Sequence, residues 1–146
     1  MSGKTPGNGN RAWTEWTARL VFLAVFIMNV MCAVQFIADP AGHAGAYELS
    51  GTAGEAAIRG IGVAFLMWNA TYPAFIVSPR RFKALGAVIL SQQAVGLAGE
   101  TYILRSLPEG HEVLSASILR FIVFDGAGLA VMLAGYIILL IKKERG

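Results

Sequence analysis

Four ionisable residues stand inside apolar sequence: Arg59 in IRGIGVAFL, Glu100 in GLAGETYIL, and Arg120 and Asp125 in LRFIVFDGAGL. A charge in such surroundings is costly unless it is paired, neutralised or held for a task. Two groups of each sign leave two kinds of chemistry open. One is a polar pocket for a small molecule, an ion, a lipid headgroup or a partner subunit, with Gln35 completing the set. The other is a set of neutralising ion pairs, Arg59 with Glu55 one turn earlier and Glu100 with Arg120 or Arg105. Asp125 fits the second poorly. Arg120 is five residues away, about 140° around a helix, so the partner of Asp125 has to come from another helix. Arg59 is the first candidate.

Helices of membrane length are needed to place these residues. The 146-residue chain is 55% hydrophobic and 14% charged, against roughly a quarter charged in soluble domains. One domain is expected at this length. Residues 1–12 are rich in Gly, Pro and Asn and read as a flexible tail. Residues 13–142 form a single membrane domain, and 143–146 a basic tail. Spans are expected at about 17–38, 55–77, 84–104 and 115–141. Trp13 and Trp16 beside Arg19 make an interfacial belt ahead of the first span. A secretory leader is the competing reading there. Its apolar region would run about 7–15 residues, shorter than the uncharged stretch 20–38. Asp39-Pro40 stops the first span, because proline lacks an N–H and its predecessor avoids the α region.

Orientation follows from the cations. Lys4, Arg11 and Arg19 precede span one; Arg80, Arg81 and Lys83 lie between spans two and three; Lys142, Lys143 and Arg145 follow span four. The opposite ends hold Asp39, Glu48, Glu55, Glu109 and Glu112. The positive-inside rule predicts an all-α, four-transmembrane-helix bundle, up-down-up-down, both termini cytoplasmic, in the inner membrane.

Counted at about 1.5 Å per residue from the cytoplasmic anchors, Glu100 and Asp125 each lie about 25 Å up their helices. Arg59 and Arg120 fall near the outer boundary. A second layer, Asn29, Asn69 and Gln92 or Gln93, lies about 12–15 Å up. Amides at one height favour interhelical hydrogen bonds over any conduction path. Small residues accompany them: Gly126, Ala130 and Ala134, Gly128 and Gly135, Gly86, Gly96 and Gly99, and Gly60 and Gly62. At these spacings they let helix backbones approach.

Other chemistries find little support. His43 and His111 in the outer loops are weak metal candidates, as are Met28, Met31 and Cys32 as soft ligands on one helix face. The single cysteine excludes an internal disulfide and a CxxC motif. No hydrolase, P-loop, dinucleotide or zinc-protease motif occurs, and no cofactor is implied. Residues 54–60 begin a helix, with a capping residue at Ser50 or Thr52. The net charge of +3 is spread in anchor clusters, so nucleic acid is not an expected partner. Membrane lipids are, as is a homo-oligomer or larger membrane complex. No internal repeat of transporter type stands out.

Asp39-Pro40 ending span one, Arg59-Gly60 opening span two, the Pro79-Arg80-Arg81 turn and Asp125 in span four together resemble small bacterial four-span membrane proteins of the DoxX-like kind. The resemblance covers nearly the whole chain. It implies a four-helix bundle in the cytoplasmic membrane and assigns no activity. The expected function is a non-enzymatic binding or accessory role. A small oligomeric transporter or channel is the alternative, and an enzyme acting on a lipid headgroup the remotest choice.

Overall fold

A computed structural model describes residues 7–141, with side chains from residue 12 onward. All regular structure in this range is helical: α1 (Gly7–Ala38), α2 (Pro40–Ala44), α3 (Gly51–Asn69), α4 (Tyr72–Val77), α5 (Lys83–Ser106) and α6 (Glu112–Ile141), with a 3₁₀ turn at Gly45–Tyr47. Helix α1 begins at Gly7, so residues 7–12, expected in the tail, are helical; residues 1–6 lie outside the described range, as do Lys142, Lys143 and Arg145.

Asp39 ends α1 and caps α2, its Oδ1 accepting the Gly42 N–H at 3.2 Å, with Pro40 in the first turn. Ser50 is the residue before α3, but its hydroxyl makes no cap bond. The second apolar run is broken at residues 70–71, and Pro73 occupies the first turn of α4, where it displaces no helical hydrogen bond.

Three segments, Ala12–Ala38, Gly51–Val77 and Glu112–Ile141, are long and apolar enough to cross a membrane. Within each, only 22% of the apolar 18-residue stretch is buried by the rest of the chain. Met31, Met67, Val95 and Val123 are among the large apolar residues left exposed. A surface of this kind is suited to a hydrocarbon surrounding. Helix α5 has 24 residues, about 36 Å at the helical rise, but Gln92, Gln93 and Glu100 make it more polar than the other three.

Close approaches give the helix directions. Gly62 lies against Ala33, Phe36 and Ile37, Asn29 meets Asn69, and Phe22 meets Phe75, so α1 opposes α3 and α4. Gly135 receives Val21 while Gly128 faces Val25, so α6 also opposes α1. Gly86 touches Tyr136 and Gly126 faces Leu97, which sets α5 against α6. The sequence-derived small-residue contacts hold at Gly62, Gly86, Gly128 and Gly135. Gly60 and Gly99 face open space.

Each end of the bundle is tied. At the turn end, Arg19 donates to Val77 O at 3.0 Å and Arg80 to Thr14 Oγ1 at 2.9 Å, with Glu15 3.9 Å from Arg80 Nε. At the loop end, Glu48 binds His111 and the Leu114 N–H, and Ser117 Oγ donates to Ala46 O at 2.6 Å. Two apolar clusters fill the interior. One, toward the turn end, contains Phe22, Tyr72, Phe75, Ile89, Met132 and Leu139. The other, toward the loop end, is built on Phe36, Ala44 and Ile58, with Tyr47, Phe65 and Phe121 packed against it.

Candidate functional site

Between these clusters lies a cavity of about 310 Å³. Its aromatic walls are Phe65 and Trp68 from α3 and Phe121 and Phe124 from α6; Met28 and Cys32 of α1 complete the apolar lining. Five polar side chains share the space: Asn29, Asn69, Gln93, Arg120 and Asp125. The residues come from α1, α3, α5 and α6, so the site exists only when these helices assemble.

The amides are held first. Asn69, 5% exposed, accepts from Asn29 Nδ2 at 3.2 Å and donates to Phe65 O at 2.7 Å. This is the interhelical glue expected of the deeper layer. Gln93 Nε2 donates to the backbone oxygen of Asp125 at 3.4 Å, which ties α5 to α6 beside the carboxylate. The adjacent Gln92 turns away to an outer groove with Trp68 and Val95. The two polar layers predicted at separate depths therefore border one chamber, because Gln93 and Asp125 meet on antiparallel helices.

Opposite charges mark the chamber's two ends. Arg120 donates to Ser117 Oγ at 2.9 Å, one turn nearer the loop end. Ser117 in turn is bound to Ala46 O, so the guanidinium is fixed beside the strap formed by α2 and the 3₁₀ turn. Asp125 lies deeper, facing Gly96: a Cβ built there would be 3.6 Å from Asp125 Oδ2 and 3.1 Å from the Trp68 ring. The missing side chain of Gly96 thus makes room for a carboxylate and an indole at the same place. Among the described residues neither Arg120 nor Asp125 has an ion-pair partner within 4.0 Å; the ion pairs in that range are Arg80–Glu15 and His111–Glu48.

The other expected site residues fall elsewhere. Arg59 is exposed and pairs with neither Asp125 nor Glu55 among the described residues. Its neighbour Ile58 is fully buried, and one residue, about 100° of helix, turns Arg59 outward. Gln35 is exposed in the same way beside the buried Phe36. Glu100 is half-buried outside the cavity lining, and its Oε2 has no hydrogen-bond partner among the described residues. His43 bonds Asp39 O through Nδ1 and lies against Phe36, while His111 binds Glu48. No group of three or more potential metal ligands forms among the described residues. Met31 is exposed, away from Met28 and Cys32 in the cavity.

No family model matches the chain, and no curated protein or solved structure does either. The assignment of a site rests on its own geometry.

Tyr47, in the 3₁₀ turn, packs against Phe121 of the chamber wall, its ring 5.8 Å from Phe36 and 6.4 Å from Phe121. Burial raises its phenol above the ordinary value, Cys32 and Glu100 push the same way, and Arg120 opposes them. Sequence reasoning also missed the aromatic walls. Their signal is the i, i+3 spacing of Phe65 with Trp68 and of Phe121 with Phe124, each pair ending beside a polar residue, Asn69 or Asp125.

Proposed function

We propose that this chain is a four-span protein of the inner membrane, with both termini cytoplasmic, that binds a ligand in the chamber around Asp125 and acts without catalysis. The cation clusters support the orientation, and the length of α5 supports its counting as a span. The observation that carries the proposal is a cavity in an apolar bundle lined by Arg120 and Asp125, neither ion-paired among the described residues. Asp125 is half-buried among apolar walls and Arg120 is exposed at their edge; a charge in apolar surroundings favours a partner of opposite sign, and an occupant that supplies one to Asp125 explains the arrangement. On the depth arithmetic of the sequence, the chamber reaches from mid-membrane into the outer leaflet.

A transporter is less well supported. Toward the turn end, beyond the chamber, the bundle is filled by Phe22, Tyr72, Phe75 and Met132, all at most 2% exposed. Among the described residues, the hydrogen bond Tyr72 makes there is to the Met132 sulfur at 3.7 Å. A conduction path needs polar groups at that depth.

Native mass spectrometry of the protein extracted from its own membrane tests the proposal. A discrete retained molecule is expected on the natural sequence and its loss on Cys32→Trp, which fills the chamber. Identical bound populations on both would refute the site.

A further inference from the structure

The site's own chemistry also specifies its occupant. We infer that the chamber binds a monovalent organic cation, its ammonium-type group held between the Asp125 carboxylate and the Trp68 ring. This rests on the ligand-binding role proposed above and names its ligand class.

Three observations converge on it. The carboxylate and the indole meet over Gly96, within 3.6 and 3.1 Å of one point. Phe65, Phe121 and Phe124 border the same space. Aromatic faces carry the negative end of the ring quadrupole, and an organic cation is attracted to them most strongly where water is excluded. A carboxylate behind such rings attracts a cation and repels an anion. A small hydrated metal ion would forgo the ring faces, whereas an alkylated ammonium presents the apolar surface they need.

Arg120 sets the polarity of binding. Its guanidinium is tied to Ser117, eight residues from Asp125, about 12 Å along the helix at 1.5 Å per residue. It therefore marks the loop end and leaves the space at Asp125 to the ligand's positive charge. The cationic group enters toward the turn end, and the apolar body lies between Phe65 and Phe121. A volume of about 310 Å³ is at the small end of ligand sites, which suits one or two rings and excludes a whole phospholipid.

Cys32, the single cysteine of the chain, lines the chamber and can report its occupancy. The full-length protein in nanodiscs is labelled with a small neutral methanethiosulfonate in the presence of three probes of one shape: benzyltrimethylammonium, its neutral isostere neopentylbenzene, and anionic phenylmethanesulfonate. The cation is expected to protect Cys32 at concentrations about tenfold lower than either analogue. Trp68→Leu and Asp125→Asn are each expected to abolish that preference, so that the cation protects no better than the neutral probe. The ranking on the natural sequence decides the matter even where Asp125→Asn does not fold. Equal protection by all three probes, or preference for the anion, overturns the cation assignment and leaves the ligand chamber standing. A Cys32 that no probe protects overturns the chamber itself.

Discussion

Gly62 offers a measurement that separates helix approach from helix propensity. A Cβ at Gly62 would lie 2.8 Å from both the Ala33 carbonyl oxygen and Ile37 Cγ1, and 3.0 Å from Phe36 Cβ. Ordinary contact is about 3.5–4.0 Å, so Gly62→Ala must push α1 and α3 apart by about 0.5–1 Å. The obstructing oxygen belongs to backbone and cannot rotate aside. Overpacking of this order costs about 1–3 kcal/mol. The alanine recovers about 1 kcal/mol of helix propensity. Gly60, two residues earlier on the same helix, has nothing within 4 Å of the added methyl. Gly60→Ala therefore gains the same propensity without the clash. The propensity gain cancels between the two variants, and Gly62→Ala should be less stable than Gly60→Ala by about 1–3 kcal/mol. Reversible unfolding in mixed micelles, titrated with dodecyl sulfate, measures it. Equal stability of the two variants would refute the α1–α3 contact as described.

The remaining expectations concern the tied ends and the amide layer. Binding to His111 and to the Leu114 N–H holds the Glu48 carboxyl below its ordinary value of 4.5. A lowered carboxyl stabilises the folded state above its unfolded value and loses that contribution as pH falls through the folded one. The stability gap between the natural chain and Glu48→Gln should thus be present above about pH 4.5 and close as pH falls below it; a gap that widens on acidification would contradict the latch. Thr14→Val removes the acceptor of Arg80 Nη2 and should cost about 1.5–3 kcal/mol, the range for hydrogen bonds to charged groups, with no loss in unfolding titrations counting against the contact. Asn29→Ala and Asn69→Ala share one hydrogen bond, so the double variant should lose less than the sum of the singles by about 0.6 kcal/mol, and strict additivity would rule that bond out.

The chain's divisions are plain in its sequence because single residues enforce them. Asp39-Pro40 stops α1, and Pro79 with its arginines makes the turn before α5. Depth was legible in part: Asn29 and Asn69 meet as the fixed rise per residue predicts, but Asp125, counted level with Glu100, meets Gln93 instead. Azimuth was not. Arg59 and Gln92 sit at the expected heights but point away from the chamber, each one residue from a neighbour, Ile58 or Gln93, that points inward. A one-residue error in facing is invisible where most of a helix is apolar, and α6 is apolar nearly all round. The same ambiguity hid which glycines touch: spacing marks Gly60 and Gly62 alike, and only assembly tells them apart. The aromatic chamber was hidden because the i, i+3 pairs Phe65/Trp68 and Phe121/Phe124 stand among many other apolar residues in membrane-length runs.

The packing beneath Asn69 has one more consequence. With Phe22, Tyr72 and Phe75 packed on that side, no path leads from the chamber to the turn end among the described residues. On the topology proposed above, a guest of the chamber exchanges with one face of the bilayer alone. A cavity closed on that side suits retention over passage, with the 3₁₀ turn tied through Ser117 beside its Arg120 end.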